Sequence, residues 1–363
     1  MAVTNRVFNF SAGPAVLPLL VLEEAQRDLV ALPGVGMSIL EISHRSDTFE
    51  RIFAGAIGAV RKVAVVPENY KILVLQGGAS LQFTMVPMNL LPSGKTADYI
   101  DTGSWSKKAI KEARRVGAVN VAATTAEDNY SRIPAADEIR LTSDASYVHI
   151  TGNNTIAGTE WAALPEVGDR PIVSDASSHI LSGPIDIAKY GLIYAGAQKN
   201  LGPSGVTLVI IREDLIERSS DDLPTMLSYR THVDNDSHFN TPNTFGVYIL
   251  GLTMKWLLSQ GGLAGIAEVN ERKSAKLYTE IDRTGFYRGT ARKDSRSRMN
   301  VTFRMRAEES EKTFIVEAAE AGFEGLKGHR SVGGMRASIY NAFPEEGVDV
   351  LVDFMREFER KHG

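Results

Sequence analysis

Lys199 occupies a position from which a lysine can do covalent chemistry. The segment Leu192-Ile-Tyr-Ala-Gly-Ala-Gln-Lys-Asn-Leu-Gly-Pro-Ser-Gly205 carries a short apolar run into this lysine. Gly202, Pro203 and Gly205 then break the chain before a second run, Val206 to Ile211. Apolar runs of that length bounded by Gly and Pro read as buried strands. Lys199 therefore leaves the sheet close to the core, where desolvation lowers a lysine pKa and yields the neutral amine that attacks a carbonyl carbon. An ordinary lysine snorkelling at a strand end is the alternative on this segment alone.

Other strand ends carry polar or small residues. Gly77-Gly78-Ala79-Ser80 follows an apolar run and opens a helix, so its backbone N–H groups can approach a phosphate. Trp105, in Thr102-Gly-Ser-Trp105, can stack on an aromatic ligand or serve as core. Asn153-Asn154-Thr155 reads as a turn with short hydrogen-bonding side chains. Asp175 ends a further strand, where a carboxylate is most often a helix N-cap. In an open parallel sheet, ligands bind beyond the carboxyl ends of the strands. Five such ends then share one rim holding a phosphate cradle, an aromatic plate, an acid and a buried amine. A pyridine aldehyde phosphate needs that set: Lys199 for its carbonyl carbon, Asp175 for its ring nitrogen, Trp105 for its face.

Basic residues suggest the substrate. His44-Arg45 and His329-Arg330 are adjacent His-Arg pairs far apart in sequence, and Arg336 lies six residues beyond Arg330. Arginine forks match carboxylate and phosphate oxygens, so separate clusters suit a molecule carrying both groups. Surface salt bridging is the alternative for any one pair. Lys107-Lys108-x-x-Lys111-x-x-Arg114-Arg115 has helical spacing and reads as a solvated face.

The elements that must position these groups follow from hydrophobic periodicity. Strands are expected at Lys71–Gln76, Ala97–Asp101, Tyr147–Thr151, Pro171–Asp175, Leu192–Ala197 and Val206–Ile211, with helices at Ala79–Leu90 and Ser106–Arg115. This alternation, from about residue 60 to 211, indicates an α/β unit on a largely parallel sheet. Val247–Leu258 and Leu263–Arg283 read as helices. Beyond them Met299–Met305 and Val332–Ile339 read as strands, and Glu309–Ala321 and Val348–Arg360 as helices; the last bears a stripe of Leu351, Phe354, Met355 and Phe358.

Composition narrows the class. The chain has 363 residues, 43% hydrophobic and 23% charged, as in a globular protein of two domains. A net charge of −4 argues against a general nucleic-acid binder. The absence of cysteine excludes disulfides, thiolate metal sites and cysteine nucleophiles, and no metal site is expected. No run approaches a membrane span and the N-terminus lacks a secretory pattern, so no membrane partner and a cytoplasmic location are expected.

Together these segments resemble the class V aminotransferase group of fold-type-I pyridoxal phosphate enzymes, and within it the branch acting on phosphoserine. The resemblance lies in Phe8-Asn-Phe-Ser-Ala-Gly-Pro-Ala15, Glu41-Ile-Ser-His-Arg45, Gly77-Gly-Ala-Ser-Leu-Gln-Phe83, Ala195 to Gly205, Phe239-Asn-Thr-Pro-Asn-Thr-Phe245 and Gly328 to Ser338. It implies a large α/β domain on a mostly parallel seven-stranded sheet, residues 16–260, and a smaller α+β domain of residues 1–15 and 261–363.

The resemblance also implies roles. Lys199 is the Schiff-base lysine and acid/base, and Asp175 the ring-nitrogen partner. Trp105 stacks, Thr155 and Gln198 lie near the ring hydroxyl and phosphate, and Ala79 and Ser80 cradle the phosphate. Asn240 and Thr241 reach the cofactor of a second subunit, which implies a homodimer. His44, Arg45, His329 and Arg330 take the substrate phosphate or the side-chain carboxylate of glutamate, and Arg336 takes the α-carboxylate. The implied reaction moves an amino group from L-glutamate to 3-phosphohydroxypyruvate, giving O-phospho-L-serine and 2-oxoglutarate, with a second role in pyridoxine synthesis in some bacteria. Ala12 stands where some members have serine, which leaves it a backbone role, and Ser80 where some have a larger polar residue. A serine– or alanine–glyoxylate aminotransferase is the nearest rival; a non-catalytic phosphate-ligand binder is the rival from another class.

Overall fold

Seven strands make one sheet, in the spatial order Tyr70–Leu75, Thr207–Arg212, Leu192–Gly196, Ile172–Asp175, Val148–Thr151, Thr96–Asp101 and Ala118–Thr124. The computed structural model describes residues 6–220 and 222–363, so the first five residues of the expected small domain lie outside it. Thr207–Arg212 runs antiparallel to both neighbours, and the other adjacent pairs are parallel. Six strands therefore end at one edge, which meets the expectation of a mostly parallel α/β sheet.

Six of the seven strands fall where the apolar runs predict. The seventh, Ala118–Thr124, is half exposed at the sheet margin. Its Ala-Val-Asn-Val-Ala-Ala-Thr sequence lacks the dense apolar run by which the buried strands are read. The helix Asp47–Ala64 also lies ahead of the alternation read from sequence. Ser46 caps it by accepting the Phe49 N–H at 3.2 Å, Asp47 and Glu50 lie in its first turn, and Arg61 and Lys62 in its last. Its buried stripe of Phe49, Phe53, Ala56, Val60 and Val63 packs with helix Thr244–Ser259 on one sheet face. The opposite face holds helices Gly78–Leu90 and Ser104–Val116 over Tyr99, Tyr147, Val173, Tyr194 and Val209.

A second sheet is antiparallel, in the order Tyr287–Gly289, Asn300–Met305, Met335–Ser338. Helices Gly262–Ile281, Glu308–Glu320 and Glu345–His362 enclose a separate core that includes Phe303, Phe314, Leu351, Met355 and Phe358. Phe10 belongs to this core as well, and Phe8–Asn9 pairs in parallel with Phe323–Glu324. The expected strand Val332–Ile339 shortens to Met335–Ser338, because Gly333 and Gly334 adopt φ of +73° and +66° and turn the chain. No helix among the described residues is long and apolar enough to cross a membrane.

Candidate active site

Lys199 lies in the turn that follows Leu192–Gly196. The turn is closed by the Ala197 N–H donating to the Val206 carbonyl at 2.9 Å and the Leu201 N–H to the Ala197 carbonyl at 3.0 Å. From it the Lys199 Nζ donates to the Thr155 hydroxyl at 2.9 Å. Burial lowers this ammonium to about 8, opposed by the charge of Asp175 and reinforced by Arg336. The residues expected at three different strand ends thus meet around one amine.

Asp175 is 5% exposed at the end of its strand. Its Oδ1 accepts the Ser177 N–H at 3.0 Å, and among the described residues Oδ2 takes no hydrogen bond. On the next strand, Gly152 donates its N–H to the Asp175 carbonyl at 2.9 Å, which sets the start of the Asn153–Thr155 turn.

Trp105 is placed by the carboxylate of Asp101. Oδ1 accepts from Ser106 Oγ at 2.8 Å and from the Gly103 N–H at 3.3 Å, while Oδ2 accepts from Thr124 and Tyr130 hydroxyls, each at 3.0 Å. Gly103 is required here: φ is +142°, and an added Cβ would lie 2.4 Å from Asn154 Nδ2. That amide donates to the Thr102 carbonyl at 3.0 Å and so ties the Trp105 turn to the Thr155 turn. The Trp105 ring centroid lies 5.5 Å from Lys199 Nζ, and its buried Nε1 has no partner among the described residues.

Gly77, at φ +88°, starts helix Gly78–Leu90, and a Cβ there would meet Leu81 at 2.5 Å. Ala79 and Ser80 stand in the first turn, where N–H groups have no intrahelical acceptor. Gln76 Nε2 donates to the Thr241 carbonyl at 2.9 Å, so Asn240 and Thr241 lie just outside the cradle of their own chain. Both are exposed, and among the described residues their side chains make no hydrogen bond. Gln198 is half-buried, with its carbonyl accepting the Ala15 N–H at 2.8 Å.

Three cations, Arg336, Arg330 and Lys108, lie near His329. Arg336 sits opposite Thr302 on the small sheet, and its buried Nε has no hydrogen-bond partner among the described residues. His329 is pushed below its ordinary value by burial, then by Arg336, Arg330 and Lys108. Its Nδ1 accepts the Ser331 N–H at 3.2 Å, which leaves the neutral ring's proton on Nε2. Among the described residues neither Arg330 nor Arg336 forms an ion pair. His44 is half-buried and Arg45 exposed, just before the cap of helix Asp47–Ala64. Among the described residues no hydrogen bond or ion pair joins this pair to His329 and Arg330.

Three participants were not singled out from sequence, or were set aside. Tyr340 is fully buried; its hydroxyl donates to the Ala12 carbonyl at 2.8 Å and accepts from Asn300 Nδ2 at 3.1 Å. The backbone role left to Ala12 is thus filled by a residue that no motif marked. Asp101, read only as a strand terminus, organises the Trp105 turn. Lys108, read as part of a solvated face, holds its Nζ 4.1 Å from the Trp105 ring centroid. The Trp-x-x-Lys spacing on a helix was the available signal.

A sequence model described as Aminotransferase class-V matches residues 7–351. The chain is 55% identical to phosphoserine aminotransferase of Lysinibacillus sphaericus (strain C3-41), over 99% of each. Among solved structures, phosphoserine aminotransferase from Bacillus circulans subsp. alkalophilus superposes with a TM-score of 0.97 at 50% identity, covering 99% of this chain and 100% of that one. The PLP-bound phosphoserine aminotransferase from Trichomonas vaginalis gives 0.93 at 39% identity, covering 97% and 100%. A buried strand-end amine facing an acid, an indole and unpaired arginines, on a fold shared over the full length with these proteins, has one source: the chain belongs to the class V aminotransferase family.

Proposed function

We propose that this chain transfers the amino group of L-glutamate to 3-phosphohydroxypyruvate, yielding O-phospho-L-serine and 2-oxoglutarate, with pyridoxal 5'-phosphate as cofactor. The observation that carries the reading is the Lys199 amine, lowered to about 8 and held by Thr155 beside the Arg336 guanidinium, which forms no ion pair among the described residues. High identity to relatives named phosphoserine aminotransferase supports the substrate assignment.

The residues fit the cofactor. Among the described residues Trp105 Nε1 is a buried donor without an acceptor, Asp175 Oδ2 takes no hydrogen bond, and the Gly77–Ser80 turn offers free N–H groups. When bound, the cofactor supplies an aldehyde that condenses with amines and a ring that accepts the electrons left when a Cα–H bond breaks. Asp175 would hold a proton on the ring nitrogen, Trp105 would cover the ring, Thr155 and Gln198 would meet its polar groups, and Ala79 and Ser80 would hold the phosphate.

Arg336 binds the substrate α-carboxylate in bidentate geometry, which aims the Cα–H bond at Lys199. The Lys199 amine, neutral above about pH 8, takes that proton as general base and, as the ammonium so formed, gives it up again as general acid within the same half; in the reverse half it delivers a proton to Cα. His329, through Nε2–H, and Arg330 bind the distal phosphate or the glutamate side-chain carboxylate. His44 and Arg45 complete this subsite, together with Asn240 and Thr241 at the cofactor phosphate, from a second copy of the chain in a homodimer. Exposed Leu40 and Phe239, beside these segments, suit such an interface. The protein works in the cytoplasm.

A glyoxylate-directed aminotransferase has no distal anion to occupy His329 and Arg330, which favours the phosphorylated substrate. A direct test is 2-oxoglutarate release from L-glutamate by the PLP-loaded protein. Release that depends on 3-phosphohydroxypyruvate supports the reading; equal release with glyoxylate overturns it.

A further inference from the structure

The helix Ser104–Val116 does more than carry Trp105. Lys108 stands one turn beyond the indole, with its ammonium 4.1 Å from the ring centroid. Lys199 Nζ lies 5.5 Å from the centroid of the same ring, so the two amines share one indole. A cation at that distance over an indole is attracted by the ring face and held at the rim, although its side chain is exposed. Its neighbour Lys107 is occupied elsewhere, 4.7 Å from the Tyr130 centroid. Among the described residues Lys108 pairs with no carboxylate, and its charge is felt at His329 together with those of Arg336 and Arg330.

The pocket must accept two distal groups of different charge, on the reading proposed above. A glutamate carboxylate carries one negative charge, whereas a phosphate monoester carries nearly two near neutral pH. A cation added to the rim favours the second more than the first, and neutral donors such as His329 Nε2–H do not discriminate in this way. We propose that Lys108 is a specificity-determining residue of this pocket, its ammonium held over Trp105 so that it favours the phosphate dianion over the carboxylate at the distal end of the substrate.

The test uses the PLP-loaded protein and single-turnover absorbance changes with L-phosphoserine and with L-glutamate. In Lys108→Gln the apparent second-order rate with phosphoserine falls about tenfold, equivalent to about 1.4 kcal/mol, and that with glutamate about twofold. Lys108→Glu widens the difference and Lys108→Arg retains most of the wild-type ratio. Calorimetric binding of L-phosphoserine to the cofactor-free Lys108→Gln protein weakens by a similar factor. Equal losses for both substrates, or no loss, overturn the proposal, because a lysine that only supports Trp105 acts on both alike. A wild-type protein that reacts as fast with serine as with phosphoserine would instead remove the underlying functional reading.

Discussion

The hydrogen bond from Lys199 Nζ to Thr155 Oγ1, 2.9 Å long, joins the ends of two strands that flank the strand carrying Asp175. The amine is thereby held at the carboxyl edge near the acid rather than free to leave it. Thr155→Val keeps the shape and deletes the acceptor. Since hydrogen bonds to charged groups contribute about 1.5–3 kcal/mol, turnover should fall about tenfold or more while PLP is retained. Unchanged turnover at saturating substrates would show that the hydroxyl does not orient the amine.

The lowered lysine sets a pH dependence. Burial brings Lys199 to about 8, so the neutral, nucleophilic form grows as pH rises toward that value and is complete above it. The rate at which cofactor-free protein captures added PLP should therefore rise about tenfold per pH unit below 8 and then level. A profile still rising steeply between pH 9 and 10 would mean that the amine is not depressed.

Arg336 has a buried Nε without a partner and no ion pair among the described residues. As the proposed α-carboxylate ligand it serves both amino acids. Arg336→Ala should raise the half-saturating concentrations of glutamate and phosphoserine alike, each by about tenfold to a hundredfold. A defect confined to phosphoserine would move this arginine to the distal subsite.

A buried cation supports the segment behind the site. Lys273, with 0% exposure, donates to the carbonyls of Ile339 at 3.0 Å, Tyr340 at 2.8 Å and Phe343 at 3.1 Å. Lys273→Met strands three acceptors and should destabilise the fold by roughly 2–4 kcal/mol. Burial lowers this lysine to about 7 from 10.5. Between those values the unfolded chain binds the extra proton, so wild-type stability gains from this site as pH rises. Urea titrations should show the gap between wild type and variant widening from pH 7 to pH 9. A narrowing gap would mean that the three carbonyls keep the lysine charged.

The shared-site arrangement is open to complementation. Lys199→Ala and Arg45→Ala should each be inactive or severely impaired alone. If Arg45 serves the partner's site, mixing the two after partial unfolding should restore activity through mixed dimers with one intact site. Absence of recovery, or a monomeric mass in sedimentation, contradicts the dimer with shared sites.

Much of this site was legible because each part sits at a strand end marked by its own punctuation. Gly202-Pro203 and Gly77-Gly78 interrupt apolar runs, which marks Lys199 and the Gly77–Ser80 turn as neighbours on one rim. Asp175, Trp105 and Thr155 followed from the same logic. What escaped was set by tertiary partners. Tyr340 matters because Ala12, 328 residues away, presents it a carbonyl. Lys108 matters because the indole lies on its inner side, and helical spacing alone does not distinguish that from solvent. Ala118–Thr124 escaped because an edge strand needs little hydrophobicity.

The most direct measurement is the visible absorption spectrum of the PLP-loaded protein before and after addition of L-phosphoserine or L-serine. A visible band from the lysine-bound cofactor is expected, one that bleaches with phosphoserine and hardly changes with serine. A protein that takes up no PLP, or a band that bleaches equally with both amino acids, would contradict the central claim.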